Sequence, residues 1–402
     1  MHKSLSLITL GIALYASSAE AESDIGERVS KALTDGKVNV SFRYRYEGVD
    51  QSNLPDNANA NTIRSRITYT SGNLGKFSTV LEADNVSHIF GDSFNDTING
   101  NTRFPVVADP SGTEVNQAYI KYQASDSTSL KFGRQRINHD AQRFIGGVAW
   151  RQNEQTFDGL RLESKLSKTT KLDYAYVYNV NRIFGEDSPN SDIDSDLHLL
   201  HFHYAPGNGH KLSAFFYELD FNDLAAVATT NVGFDYQKAG KVKDLGYKLH
   251  ASYVNQSDTG DNPFDFSTDY IALDGTLTVS GVSLTAGYES LGSDNGRAFT
   301  TPLATLHKFN GFADLFLVTP QASGLEDAYF KIAGKINGVA VSATYHQFDA
   351  ETGSADFGSE IDLTASYKFS KNYSGLLKYA NFSGDDLAID RRILWAQFLA
   401  KF

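Results

Sequence analysis

Over much of this chain, oily and polar residues alternate one by one for about ten residues at a time. That period of two commits each stretch to a strand with two chemically opposed faces. Val38, Val40, Phe42, Tyr44 and Tyr46 share one parity, and Asn39, Ser41, Arg43, Arg45 and Glu47 take the other. Ile361, Leu363, Ala365, Tyr367 and Phe369 alternate in the same way with Asp362, Thr364, Ser366 and Lys368. About eighteen such segments follow one another, from 38–47 to 392–402. Their connections alternate in length. Short turns fall at 72–74, 125–127, 167–169, 206–209, 240–242, 280, 337 and 370–372, and the long links between them include 87–113, 138–155 and 292–326.

A soluble sandwich would mix its connection lengths, whereas strict alternation is the habit of a transmembrane barrel with short periplasmic turns and long extracellular loops. Eleven residues at about 3.3 Å each, tilted by about 40°, climb roughly 28 Å, close to the ~25 Å apolar band of such barrels. Lipid leaves no backbone group unpaired, so the strands must close into a ring. The expected fold is all-β: an antiparallel up-and-down barrel of about 18 strands enclosing water rather than a packed core. An even strand count puts both chain ends on the periplasmic side.

Both termini agree with that reading. Lys3, the apolar run Leu5–Tyr15 and the small-x-small sequence Ala19-Glu20-Ala21 have the form of a secretory signal. The chain thus divides into a signal peptide (1–21), a periplasmic segment (22–36) and the barrel (37–402). After residue 21 no run reaches the ~18 apolar residues of a spanning helix. The C-terminus, Leu394 to Phe402, is an apolar alternation closing on Phe402, a form that the barrel-assembly machinery reads. Aromatic residues cluster near strand ends, with Tyr44, Tyr46, Tyr178, Tyr253, Tyr288 and Phe348 expected at the outer lipid interface. Tyr69, Tyr122, Tyr204, Tyr236, Tyr367 and Phe369 are expected at the periplasmic one. A cysteine count of zero excludes disulfides and thiolate metal sites. A net charge of −12 argues against a nucleic-acid partner.

Charge on the inward parity suggests what the lumen favours. Arg43, Arg45, Arg64 and Arg66 sit on the first two strands and would form one basic patch. Lipid at mid-depth would cost about 2–4 kcal/mol for each, which fixes them inward. Lys121, Lys131, Arg161, Lys248, Lys331, Lys335 and Lys368 follow, with Glu163, Asp173, Glu218, Asp235 and Asp362 as inward acids. The bland alternative pairs the arginines with Glu47, Glu82 and Asp84. Arg134 and Arg136 share parity with the lipid-facing Leu130 and Phe132; a bulge at Gly133 would turn them inward, and a place at the outer interface is the other reading. Acidic loop residues such as Asp92, Asp96, Glu186, Asp187, Asp385 and Asp386 would face solvent or, through divalent cations, lipopolysaccharide. His201 and His203 share the inward face, but no third metal ligand accompanies them. Asp192-Ile193-Asp194-Ser195-Asp196 lacks the turn glycine of a calcium loop. No nucleophile elbow or phosphate-binding glycine loop is present, so neither catalysis nor a cofactor is expected.

Two segments carry a family likeness. Gly133-Arg134-Gln135-Arg136 leads to Gln142–Gly147, Trp150–Asn153 and Phe157-Asp158-Gly159. His307–Asp314 is followed by Thr319-Pro320 and Gly324–Asp327. Both resemble the alginate-export family of outer-membrane channels. The resemblance implies a monomeric eighteen-stranded barrel whose arginine-lined lumen conducts anionic polysaccharide or its fragments. Exporting members carry a long periplasmic loop used in gating, and every periplasmic turn expected here is short. The favoured expectation is therefore a passive, anion-preferring channel for acidic oligosaccharides such as alginate fragments. Arg43, Arg45, Arg64 and Arg66 would select, helped by Lys121, Arg134, Arg136 and Arg161, and loops 87–113 and 292–326 would narrow the mouth. Polymer export with a synthesis complex and a barrel enzyme are the rival readings.

Overall fold

The structure, a computed structural model, describes residues 19–402. All but the last three residues of the expected signal peptide lie outside the described residues. The segment before the barrel is largely a helix, α1 (Ala19–Thr34). Eighteen strands follow. The first six are β1 (Lys37–Gln51), β2 (Ala58–Thr70), β3 (Phe77–His88), β4 (Gly112–Gln123), β5 (Thr128–Gln135) and β6 (Thr156–Lys165). Next come β7 (Thr170–Asn181), β8 (Asp192–Gly207), β9 (His210–Phe221), β10 (Thr229–Val242), β11 (Leu245–Asp258) and β12 (Ser267–Val279). The last are β13 (Val282–Leu291), β14 (Leu325–Ile336), β15 (Val339–Asp349), β16 (Asp356–Lys368), β17 (Tyr373–Gly384) and β18 (Arg391–Lys401).

Each strand pairs antiparallel with its neighbours in sequence, and β1 closes the ring against β18, with Arg43 opposite both Arg64 and Leu399. The ring of eighteen strands has no open edge, as a hydrocarbon surround requires. The eight periplasmic turns have six residues or fewer, and the longest outer loops are 89–111, 136–155 and 292–324.

The usual rule of burial is inverted on the outside. Along β12, Ile271, Leu273, Leu277 and Val279 are all exposed, while Thr268, Tyr270 and Ala272 on the opposite parity are buried. Those outward aliphatics form the surface that lipid covers. The aromatic rims hold at Tyr178, Tyr253 and Tyr288 outside and at Tyr204, Tyr367 and Phe369 below, all exposed. Phe348 is a correction: it shares parity with His346 and is 0% exposed, packed inside against Phe316 at 4.6 Å between ring centres. Glu218 is another. It shares parity with the exposed Phe216, while Phe215 and Tyr217 point inward.

The register at Gly133 also corrects the expectation. Pairing continues unbroken through it (Tyr119↔Gly133↔Gly159), and the bulges lie on the neighbouring strands, between Val115 and Gln117 and between Val177 and Asn179. Arg134 therefore stays on the outward face with Phe132, where its guanidinium makes a two-point ion pair with Asp158 (2.9 and 3.1 Å). Towards the rim of the barrel the lipid penalty falls to about 0–1 kcal/mol. Gly133 itself has φ 119°, and an added Cβ would run into the Ala118 carbonyl oxygen. Gly133→Ala is expected to cost roughly 1–3 kcal/mol of strain. The check is a lower midpoint when folded barrel is titrated with urea and followed by gel mobility.

The interior is the largest correction. The outer half of the lumen is filled rather than open, because loops 136–155 and 292–324 fold inward. Ile137, Ile145, Phe299, Leu303 and Phe316 from these loops pack on inward residues of the wall, including Phe157, Leu199, Tyr217, Phe348 and Trp395. This buried cluster explains why β8 and β9 turn Leu197, Leu199, Phe215 and Tyr217 inward: their partners are loop side chains, not water.

Candidate functional site

Strand alternation delivers Arg43 and Arg45 from β1 and Arg64 and Arg66 from β2 to one patch of inner wall. Loop 136–155 lies across that patch. Arg43 Nε donates to Gln152 Oε1 (2.8 Å) and Nη1 to the Ala149 carbonyl (2.8 Å), with a further bond to the Arg151 carbonyl. Arg45 lies over the Trp150 ring at 4.0 Å and donates to Gln397 Oε1. Arg66 donates to Asp84 Oδ1 (2.6 Å) and to Glu154 Oε1 (2.7 Å), and Arg64 reaches Glu154 at 3.5 Å. Arg136, just past the end of β5, turns into the lumen and pairs with both Glu154 and Glu82. Glu154 is thus the hub of three guanidinium groups. Burial alone would raise its pKa, but Arg66, Arg136 and Arg64 prevail and hold it at about 2.

The second loop clasps the first. Gly146 N–H donates to the Leu303 carbonyl (2.8 Å), Thr305 N–H to the Gln142 carbonyl (3.0 Å), and Val148 N–H to Thr305 Oγ1 (3.1 Å). Arg143 bridges to the far wall through Glu289 (2.8 Å) and to Asn310 (3.0 Å), under the Phe309 ring. Arg151 joins Glu47 (3.1 Å) to Asp314 (3.3 Å). His307 stacks on Trp150 with ring centres 4.2 Å apart, donates from Nδ1 to Asp314 Oδ1 (2.8 Å) and accepts from Lys378 Nζ (2.6 Å). Burial dominates its titration and lowers its pKa to about 3, and only part of that is offset by Asp314. Asp314, which burial would raise, is instead held at about 2 by His307 and Arg151.

On the opposite wall the carboxylates are also engaged. Glu360 accepts from the Phe312 and Ala313 N–H groups (2.5 and 2.8 Å), and Asp327 binds His346 at 2.8 Å. Loop 89–111 adds Asp109, whose Oδ1 accepts from Gln152 N–H at 2.7 Å.

Of the expected site residues, Arg43, Arg45, Arg64, Arg66 and Arg136 come together in this constriction. Arg43, Arg45 and Arg64 are buried there. Arg161 is inward but locked to Asp173 (2.5 Å). Lys121 stands apart in the periplasmic half, beside a cavity of about 500 Å³ that Ser129, Glu163 and Lys171 also line. Arg134 faces outward. His201 binds Asp140 at 2.8 Å, and no group of three or more potential ligands among the described residues is arranged to hold a metal ion. The residues that sequence reading passed over are Glu154, Arg151, Arg143, His307, Asp314 and Lys378. Except for Glu154 and Lys378, they lie within the two segments that carried the family likeness.

A closed barrel of this strand number, with short periplasmic turns and outer loops folded into its lumen, is a porin-like channel of the bacterial outer membrane. Solved structures agree on the fold. Acinetobacter baumannii OccAB4 superposes with a TM-score of 0.71 at 15% identity, covering 92% of this chain and 100% of that one. Pseudomonas aeruginosa OpdK, solved with vanillate, gives 0.73 at 14%, covering 92% and 99%. Pseudomonas aeruginosa OccK9 (OpdG) gives 0.72 at 17%, covering 92% and 100%. No curated protein matches the chain. The chain belongs to the alginate-export family, which it matches over residues 37–303.

Proposed function

We propose that this channel passes small anionic solutes into the periplasm by passive diffusion, acting as a monomer, with acidic oligosaccharides such as alginate fragments as its substrates. One observation carries the reading. The inward carboxylates of the constriction are engaged by arginine, histidine or backbone N–H groups, whereas Lys121, Lys171, Lys248 and Lys331 on the inward parity have no carboxylate within ion-pair distance among the described residues. The lower lumen therefore offers uncompensated positive charge. A solute carboxylate about 6 Å from one such lysine gains about 0.7 kcal/mol at the dielectric of water. That is enough to bias entry and too little to trap.

The vanillate in the OpdK structure, a carboxylate in a barrel of similar fold, points the same way. Uptake is preferred to export because none of the eight periplasmic turns exceeds six residues, so among the described residues no large loop there could gate polymer or dock synthesis machinery. Contact of the acidic outer loops with lipopolysaccharide, and assembly directed by Phe402, belong to the same proposal.

The test is the reversal potential of single channels in a salt gradient, with liposome swelling in neutral and uronate oligomers beside it. Anion preference is expected, and the combined change Lys121→Gln, Lys171→Gln, Lys248→Gln and Lys331→Gln should move the reversal potential towards cations. A cation-preferring wild-type channel, or no movement in the variant, rejects the reading.

A further inference from the structure

The helix that precedes the barrel has an exposed oily face that the channel does not use. Ile25, Val29 and Leu33 recur every four residues, so they form one stripe down α1, and all three are exposed (39, 36 and 54%). Asp24, Glu27, Arg28 and Lys31 occupy the other faces. Where the helix ends decides what the stripe meets. Tyr69, on the outward face of β2 with the exposed Ile67, donates from its hydroxyl to the Leu33 carbonyl at 2.7 Å. Gly72 N–H, in the β2–β3 turn, donates to the Ala32 carbonyl at 2.8 Å. Tyr69 also pairs with Val38 and Leu81, which are 58 and 50% exposed. The helix is therefore pinned by its C-terminal turn to the outside of the wall at its periplasmic rim, which sets the Leu33 end of its oily stripe beside the outward-facing Tyr69.

We infer that α1 is an interfacial helix that lies in the periplasmic leaflet of the outer membrane, with Ile25, Val29 and Leu33 in the acyl boundary and its charged residues among the phospholipid headgroups. Such helices have this composition: a narrow apolar stripe, a strongly charged remainder and low net hydrophobicity. The partner is the phospholipid surface itself, so the inference stands apart from which solutes cross the pore.

The absence of cysteine allows unique labelling of the full barrel. Single variants Ile25→Cys, Val29→Cys, Glu27→Cys and Lys31→Cys carry an environment-sensitive dye in phosphatidylethanolamine–phosphatidylglycerol vesicles. Lipids spin-labelled at graded depths quench from within, and iodide quenches from water. Labels at 25 and 29 are expected about 5–10 Å below the headgroup boundary, shielded from iodide, with labels at 27 and 31 open to it. Iodide quenching at all four sites with no lipid quenching would overturn the inference, and so would equal lipid quenching at all four. Gel mobility confirms that each labelled barrel is folded. If one labelled position disturbs the helix, the other position on the same face gives the same reading.

Discussion

Replacing Glu154 with alanine is expected to give a wider and more strongly anion-selective channel. The carboxylate accepts from Arg66 at 2.7 Å and from Asn116 at 3.3 Å, pairs with Arg64 at 3.5 Å, and pairs with Arg136. Its removal takes one negative charge from among three guanidinium groups, of which Arg66 keeps Asp84 and Arg136 keeps Glu82. Breaking a buried ion pair from one side costs about 3–5 kcal/mol. That cost falls on the docking of loop 136–155, because the barrel's backbone ladder does not pass through Glu154. Single-channel conductance should rise, and the reversal potential should move further towards anions, while the folded gel mobility stays the same. Glu154→Gln separates the two effects, since it keeps the shape and drops the charge, and should shift selectivity with less widening. If neither variant moves the reversal potential, the arginines are not charge-compensated by this residue and the site is misread.

The barrel was legible in the sequence because lipid enforces parity. An arginine at mid-depth on the wrong face is too costly to persist, so Arg43, Arg45, Arg64 and Arg66 could be placed inward from alternation alone. The same rule failed at strand ends. Phe348 closes β15, where an aromatic residue suits either a lipid rim or a packed interior, and only the arrival of Phe316 from loop 292–324 decides between them. The pattern of β5 leaves Arg134 either inward through a bulge at Gly133 or outward at the interface, and the bulges that decide for the outward place sit on the adjacent strands, a non-local feature that one strand's pattern cannot reveal.

The filled lumen was hidden for a related reason. A loop has no periodicity, so nothing in residues 136–155 states whether it projects into water or folds back. The signal available was content: Arg143, Phe144, Trp150 and Arg151, then His307, Phe312 and Asp314, are too aromatic and too charged for a solvated loop. Their spacing of more than 150 residues conceals that they meet. Glu154 and Arg66 lie 88 residues apart, and only the folded loop joins them.

Acidification from pH 7 to about 4.5 is expected to loosen loop 292–324 while the contacts of loop 136–155 with the arginine wall persist. His307 has a pKa of about 3 in the docked loop, and released into water it would titrate near 6.5. Below that value the released loop binds a proton that the docked loop refuses. Docking therefore loses stability as pH falls, by roughly 1.4 kcal/mol per unit, so two units below 6.5 amount to roughly 3 kcal/mol. Lys378 and Arg151 face the ring with positive charge, and Asp314 opposes them. The two carboxylates held near 2 act in the other window: their contributions are present above the usual carboxylate range and fade only as pH falls towards 2. Between pH 6.5 and 4.5 both of these carboxylates keep their charge. Single-channel recordings should show rising conductance and flicker across that span, and loop 292–324 should become a protease site. His307→Phe keeps the stack on Trp150 without a titrating group and should flatten the profile. A wild-type trace that stays constant down to pH 4.5 would show that the buried ring does not control the docking, and the clasp would then rest on Arg143, Arg151 and the backbone bonds alone.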